Sequence, residues 1–180
     1  MVSGGIDSAT LWYAAKKICL ERGQECLPYS IAKLDGAEYH ATSVMIVTCK
    51  LLGIPLIKTK MVGEVTDDHC ETTVSGIREV AQMGKYVLAG DTAYFPDLDP
   101  GFDLLPRNRA PENHPVFQPY FDLTKEKTIK FAKNLGILDV LMLVTHSCTE
   151  RSISRCKKCY WCRERELAFN KLGIVDGGSA

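Results

Sequence analysis

Hydrophobic side chains recur along the chain at two spacings, one typical of helices and one typical of short buried strands. Five stretches carry apolar residues three or four positions apart, and glycines follow several of them where a helix would end. The predicted helices cover 8–22, 37–52, 71–83, 124–135 and 161–172, and the predicted strands cover 26–34, 55–59 and 86–89. Strands that alternate with helices indicate an α/β fold with a parallel sheet and flanking helices.

Some segments depart from this regular pattern. Pro28 weakens the first predicted strand or places it at a sheet edge, and Gly76 interrupts the third predicted helix. Residues 91–119 hold six of the eight prolines and show neither spacing, which predicts a long functional or mobile loop. Residues 138–144 form a short apolar segment, and 174–180 predict a frayed tail.

Composition narrows the class of protein. The chain has 180 residues, of which 46% are hydrophobic, and its 22 basic and 22 acidic side chains balance. These values predict one globular domain over 1–180 and exclude a disordered chain or a small disulfide scaffold. Nucleic acid and membranes are not expected as partners, because both require a broad cationic surface. With no apolar run near the roughly 20 residues of a membrane span and no signal pattern, we expect a cytoplasmic protein.

A glycine-containing turn stands where the first helix begins. It consists of Ser3, Gly4, Gly5, Ile6, Asp7 and Ser8. The two glycines allow close approach of the backbone to an anion, and the free N–H groups of the helix start point toward it. An acidic side chain beside phosphates is repulsive unless it holds Mg²⁺, so Asp7 indicates a bridging magnesium ion. A glycine pair alone is equally typical of a simple helix start, whereas the full string favours a phosphate site.

Four of the eight cysteines lie within fifteen residues and have the spacing C-x7-C-x2-C-x2-C. They are Cys148, Cys156, Cys159 and Cys162. Four thiolates close a tetrahedral shell, so the pattern predicts a structural Zn²⁺ site in the segment 146–172. An iron–sulfur cluster uses the same ligands, and free or oxidised thiols are a further alternative. His146 is surplus to this site and is interpreted as a hydrogen-bonded residue at a turn.

The string SGGIDS resembles the PP-loop of the ATP pyrophosphatase superfamily, whose fold is adenine nucleotide alpha hydrolase-like. This resemblance implies ATP, Mg²⁺, adenylation of a substrate oxygen and release of pyrophosphate. In that superfamily a full apolar strand precedes the turn. Here only Met1 and Val2 precede it, so the strand is expected to be very short or truncated.

The C-terminal third resembles the 7-cyano-7-deazaguanine synthase family, also called QueC-type. The strings FDLTKEKTIKFAKNLGI and HSCTERSISRCKKCYWCRERELAF carry the resemblance, and the PP-loop, the Thr-Lys pair and the cysteines follow in the family's order. The resemblance implies ATP-dependent conversion of 7-carboxy-7-deazaguanine and ammonia to 7-cyano-7-deazaguanine through an acyl adenylate. It also implies a homodimer.

The same resemblance suggests roles for individual residues. Asp7, Ser8 and Lys125 are the expected catalytic residues, and Lys125 would add a cation near the phosphates unless it is a surface charge. The expected substrate-binding residues are Gly90, Asp91, Tyr94 and Asp97. The alternative for the aspartates is a turn-forming role, and the alternative for Tyr94 is packing of the loop against the body.

Two other functions remain open on the sequence, and a third would need a further catalytic residue. One is a related transferase that passes the activated carboxylate to another amine. The other is a shortened module that binds a nucleotide or nucleobase without turnover, suggested by the missing apolar strand. A PP-loop enzyme acting on tRNA would need a catalytic cysteine outside the metal set, for which Cys70 is the candidate.

Overall fold

The computed structural model describes residues 1–31, 37–63, 69–83, 86–95, 98, 109–111, 114–148 and 154–177. These ranges contain six helices and four short strands. The helices are α1 (Ile6–Glu21), α2 (Ala37–Leu52), α3 (His69–Gln82), α4 (Lys125–Asn134), α5 (Leu138–Val144) and α6 (Tyr160–Lys171). The strands are β1 (Tyr29–Ile31), β2 (Lys60–Val62), β3 (Val87–Leu88) and β4 (Val116–Phe117). No helix within the described ranges is long and apolar enough to cross a membrane.

The strands form two parallel pairs that meet at the first two residues of the chain. β1 pairs with β2, and β3 pairs with β4, both in parallel. The Val2 nitrogen donates a hydrogen bond to Tyr29 O at 2.7 Å, and the Met1 nitrogen donates to Leu88 O at 2.7 Å. The short segment before the turn therefore joins the two pairs, which confirms the predicted α/β fold with a parallel sheet and flanking helices.

Within the described residues, two hydrophobic clusters form the core. The larger cluster lies among α1, α2, α4, α5 and α6, and its fully buried members include Ile6, Met45, Ile129, Leu141 and Phe169. The smaller cluster lies where α3 packs on the strands and includes Tyr29, Val62, Val80, Val87 and Val116. Val2 belongs to the larger cluster, so the residues just before the turn are anchored both by backbone bonds and by packing.

One strand lies away from its predicted position, and another lies where a loop was predicted. The second strand is Lys60–Val62, whereas the prediction over 55–59 was wrong, because pairing with β1 selects the later residues. The Lys60 nitrogen donates to Pro28 O at 3.0 Å, so Pro28 stands just before β1 and contributes only its carbonyl. The predicted loop over 91–119 contains β4, which pairs with β3 through Val116 and Phe117.

Four helices can also be compared with the predictions. Gly76 does not interrupt α3; a β-carbon there would lie 3.3 Å from both Ile31 Cγ1 and Val62 O, so glycine lets the helix approach the sheet closely. The apolar segment 138–144 is the helix α5. Thr124 directly precedes α4, and α6 buries Arg165 and Phe169, which are four residues apart and share one face.

Candidate nucleotide site and cysteine cluster

The turn before α1 is closed by hydroxyl groups. Ser8 Oγ donates to Gly5 O at 3.0 Å and accepts from the Ser3 backbone nitrogen at 3.1 Å. The two serine hydroxyls lie 3.0 Å apart. Ile6, Asp7 and Ser8 occupy the first turn of α1 and are buried, so their backbone N–H groups lie at the helix start. This part of the chain has the shape that binds anions in other proteins.

Gly4 has a conformation and a setting that exclude a side chain. Its φ angle is +85°, and a β-carbon there would lie 2.5 Å from His40 Cβ. The His146 nitrogen donates to Gly4 O at 3.0 Å, and the rings of His40 and His146 stack with centroids 4.3 Å apart. The structure thus confirms that His146 is hydrogen-bonded but places it in the irregular segment after α5 and not at a turn of its own. Its bond to Gly4 O brings the start of the cysteine segment against the glycine turn.

Asp7 is paired rather than open to solvent. Lys125 Nζ donates to Asp7 Oδ2 at 2.7 Å, and Thr128 Oγ1 donates to Asp7 Oδ1. Lys125 and Thr128 lie one turn apart on α4, and both side chains are buried. The first turn of α4 therefore holds the carboxylate at the start of α1. The alternative of a surface charge for Lys125 is excluded by this burial.

Glu164 is a second carboxylate beside Lys125. It comes from α6, is fully buried, and its Oε2 lies 2.7 Å from Lys125 Nζ. Burial lowers the pKa of Lys125, but the Asp7 and Glu164 carboxylates outweigh this effect and leave the pKa raised, so the ammonium is charged at neutral pH. Burial raises the pKa of Glu164 against the opposing effect of Lys125.

The sequence did not indicate Glu164 or Thr128. Thr128 lies 121 positions from Asp7, and Glu164 comes from a different helix than its partner Lys125. Both residues fall inside the strings that resemble the QueC family, but the strings alone give neither of them a role. One signal in the sequence could have pointed to Thr128. It lies three residues after Lys125 in a predicted helix, so the two side chains share a face.

The predicted substrate-binding residues lie at the end of β3 and beyond it. Gly90 contacts the start of α1, and a β-carbon there would lie 3.1 Å from Ser8 N. Asp91 is exposed and accepts a hydrogen bond from Gln118 Nε2 at 3.1 Å. Tyr94 meets Tyr160 edge to face, with ring centroids 5.5 Å apart. Asp97 lies outside the described residues. Of the described three, the structure brings Gly90 directly against the turn.

The segment after β3 is also tied to α6. The Phe95 nitrogen donates to the Tyr160 hydroxyl at 3.0 Å, and Phe95 itself is buried. Burial, followed by the charge of Glu164, raises the pKa of Tyr160 to about 12. The phenol is therefore neutral at physiological pH, and Tyr160 links the predicted substrate segment to the helix that carries Glu164.

The four cysteines of the predicted metal site converge. Their sulfur atoms all lie within 4.8 Å of one another, while the four residues come from the segment before α6 and from its first turn. Lys157 has a φ of +59°, which turns the chain tightly between Cys156 and Cys159. The backbone nitrogens of Lys158 and Cys159 donate to Cys156 Sγ at 3.4 and 3.2 Å.

This geometry fits a tetrahedral metal ion. Sulfurs around zinc at about 2.3 Å would stand about 3.8 Å apart, and Cys156 Sγ and Cys162 Sγ lie 4.0 Å apart. Burial raises the pKa of the Cys156 thiol, but the backbone N–H bonds from Cys159 and Lys158, together with side-chain hydrogen bonds from Cys159 and Cys148, outweigh burial and lower the pKa to about 6. A thiolate held by backbone N–H groups is the form that binds a metal. The cluster is therefore compatible with zinc.

The buried Arg165 side chain hydrogen-bonds to a residue before the cysteine cluster and to a residue after it. Arg165 of α6 donates to Thr145 O at 3.0 Å and to Asp176 Oδ2 at 2.8 Å, while Arg155 of the cysteine segment also pairs with Asp176 at 2.5 Å. The Ile174 nitrogen donates to Phe169 O at 3.1 Å. The tail prediction was thus wrong for Ile174 to Gly177, since Asp176 anchors this segment.

A parallel α/β domain with a Ser-Gly-Gly turn at its first helix and a four-cysteine cluster before its last helix defines a protein of the PP-loop class. A family model described as "Queuosine biosynthesis protein QueC" matches residues 76–173, which is more than half of the chain. The chain therefore belongs to the QueC family, which has the PP-loop fold. The matched residues include Lys125, Glu164 and the four cysteines.

A relative from Caldicellulosiruptor saccharolyticus (strain ATCC 43494 / DSM 8903 / Tp8T 6331) is similar along nearly the whole chain. This protein, a 7-cyano-7-deazaguanine synthase, is 28% identical over an alignment of 216 positions. The alignment covers 98% of this chain and 92% of the relative. Family and relative together support a role in the queuosine pathway as an enzyme of the PP-loop family.

Proposed function

We propose that this protein uses ATP and Mg²⁺ to convert 7-carboxy-7-deazaguanine and ammonia to 7-cyano-7-deazaguanine. The observation that carries the proposal is the buried Asp7–Lys125 pair at the start of α1, directly beside a turn that can bind an anion, in a chain of the QueC family. A lysine ammonium and free helix N–H groups at one place suit a polyphosphate.

The phosphates of ATP would bind at Ser3 to Ser8. The first N–H groups of α1 have no partner within the helix and can donate to phosphate oxygens. Gly4 and Gly5 have no side chain to keep a ligand away from these groups. Packing also requires glycine at Gly4, because a β-carbon there would clash with His40. Ser3 and Ser8 hold the shape of the turn through their hydroxyl groups.

Asp7 would help to hold the magnesium ion. A carboxylate can accept about four hydrogen bonds, and Lys125 and Thr128 use one on each oxygen, which leaves acceptor capacity for a cation. When bound, Mg²⁺ neutralises the charge that develops on the departing pyrophosphate. Lys125, fixed by α4, adds a positive charge next to the same place.

The proposed reaction has two activations. The substrate carboxylate attacks the α-phosphorus of ATP and pyrophosphate leaves, after which ammonia attacks the acyl carbon and AMP leaves, giving the amide. The amide oxygen then attacks a second ATP, pyrophosphate leaves again, and loss of AMP and two protons gives the nitrile. The residues of the turn would serve both steps, because in each step the α-phosphorus of an ATP molecule is attacked and pyrophosphate leaves.

The deazaguanine ring would lie along the segment after β3. Gly90 brings this segment to the turn, so a substrate held there would have its carboxylate near the phosphates. We assign recognition of the ring's N–H edge to Asp91, whose carboxylate is exposed, and stacking to Tyr94. Asp97 keeps the same assignment as a prediction. The four cysteines would hold a structural Zn²⁺, and we expect one domain per chain and a homodimer.

The test is incubation with ATP, Mg²⁺, ammonia and 7-carboxy-7-deazaguanine, followed by mass spectrometry. We expect AMP, pyrophosphate and the nitrile, all of which should depend on the carboxylate substrate. Formation of AMP together with a different acylated amine would show that the protein is a transferase and not the proposed synthase. ATP binding without AMP release under all these conditions would show that the protein is a binding module without catalytic activity.

A further inference from the structure

Glu164 is a buried carboxylate to which the proposed reaction gives no role. It lies in α6, is fully buried, and its Oε2 stands 2.7 Å from the ammonium of Lys125. Removing a carboxylate from water is unfavourable unless a partner compensates for the loss. Because Lys125 already has a partner in Asp7, one ammonium is shared by two carboxylates.

When both carboxylates are ionised, the cluster of Asp7, Lys125 and Glu164 carries one net negative charge. Both of its ion pairs have an N to O distance of 2.7 Å, and all three side chains are largely shielded from water. Charges interact more strongly in such surroundings than in solution. A second carboxylate behind Lys125 therefore changes the electrostatic potential at the turn where the nucleotide is proposed to bind.

We propose that Glu164 is a positioning residue that makes the nucleotide site select metal-bound ATP over bare ATP. When Asp7 binds the divalent cation, its ion pair with Lys125 is weakened. Glu164 then keeps the Lys125 ammonium in place through the second ion pair. Its charge also repels a nucleotide that arrives without a cation. This inference rests on the proposed function, because it concerns how the same site binds ATP.

The helix that carries Glu164 is fixed on both sides of it. Cys162 belongs to the cysteine cluster, and Arg165 donates to Thr145 O at 3.0 Å. Glu164 therefore has little freedom to move away from Lys125. The cysteine cluster thereby gains a connection to the nucleotide site, since it holds the first turn of α6 in the place from which Glu164 reaches Lys125.

The test measures ATP affinity by calorimetry with and without Mg²⁺ on the full chain. The quantity compared is the magnesium factor, the Kd without Mg²⁺ divided by the Kd with Mg²⁺. We expect Glu164→Gln to lower this factor by about tenfold or more, within the range usual for coupling between two ligands. The matched control is Glu166→Gln, an exposed glutamate on the same helix, which should leave the factor unchanged.

A structural role alone gives a different result. If Glu164 only stabilises the fold, Glu164→Gln weakens both affinities together and the magnesium factor stays at the wild-type value, which overturns the inference. Should Glu164→Gln fail to fold, Glu164→Leu removes the charge without burying an amide, and the same loss of the factor is expected. In both variants the zinc content should match wild type, which shows that Cys162 and the cluster are intact.

The inference and the proposed function fail in distinguishable ways. If wild-type protein binds no ATP even with Mg²⁺, the proposed function fails, and the inference falls with it. If wild-type protein binds ATP with Mg²⁺ but Glu164→Gln retains the full magnesium factor, the inference alone fails. In Asp7→Asn the factor should already be lost, and adding Glu164→Gln should lower it no further.

Discussion

Gly90 packs directly on Ser8: a β-carbon at Gly90 would lie 3.1 Å from both the backbone nitrogen and the Cα atom of Ser8. The end of β3 thus presses against the first turn of α1. Both atoms that would be displaced belong to the backbone of the turn, so a larger residue at Gly90 cannot be accommodated by a side-chain rotation. This contact fixes the distance between the predicted substrate segment and the predicted phosphate site.

Gly90→Ala should therefore damage the nucleotide site. We expect loss of about 1–3 kcal/mol of unfolding free energy, as for other overpacked positions, together with weaker ATP binding. Urea unfolding and calorimetry measure the two effects. Gly177→Ala is the matched control, because a β-carbon at Gly177 meets nothing within 4 Å, and wild-type affinity in Gly90→Ala would contradict the close contact.

Lys125→Met should be strongly destabilising and inactive. It leaves Asp7 and Glu164 buried without their shared cation, at a cost of about 3–5 kcal/mol. Nitrile formation should fall by about a hundredfold or more, because a cation beside the phosphates is lost. Lys127→Met, on the exposed face of the same helix, should change stability by less than about 0.5 kcal/mol. Equal melting temperatures for the two variants would argue against the buried triad.

Removal of one metal ligand should destabilise the last helix. Cys159→Ser is expected to lose zinc and several kcal/mol of unfolding free energy, since metal binding and folding are coupled at such sites. Metal analysis and thermal unfolding provide the measurements, and a chelator should have the same effect on wild type. Cys19→Ser, outside the cluster, should keep its zinc. Iron with visible absorbance in the purified protein would replace the zinc assignment by an iron–sulfur cluster.

Asp176→Asn tests the anchored tail and its dependence on pH. Burial raises the pKa of Asp176, but hydrogen bonds from Arg165 and Arg155 outweigh it and hold the pKa below its usual value. A depressed carboxyl pKa contributes stability above the unfolded pKa of about 3.9, and this contribution is lost as pH falls through the folded pKa. The free energy of unfolding of the wild type should therefore exceed that of Asp176→Asn by about 3 kcal/mol at neutral pH. This difference should shrink below about pH 4.

Denaturant unfolding at several pH values measures this difference. Asp139→Asn is the control, because Asp139 is exposed in the first turn of α5 and should contribute less than about 1 kcal/mol. A difference between wild type and Asp176→Asn that stays constant from pH 7 to pH 3 would show that the charge of Asp176 does not stabilise the tail.

The amino-acid sequence by itself determined the features whose causes are local. The turn Ser3 to Ser8 and the four cysteines are visible because their residue types and spacing lie within a few positions of one another. Most helices follow from apolar spacing and from glycines at their ends, and the parallel sheet follows from the alternation of elements. The QueC resemblance also needed only linear strings and their order.

Tertiary structure decided the features that depend on distant partners. Pairing with β1 selected Lys60–Val62 as the second strand, and pairing with β3 made a strand of Val116–Phe117 in a proline-rich stretch. Asp7 and Lys125 are 118 positions apart, so no local pattern shows their ion pair. Glu164 looks like one of several helix-surface glutamates in the sequence, and only the packing of α6 on α4 buries it beside Lys125. A carboxylate's role depends on the charge it meets after folding, and that charge comes from another part of the chain.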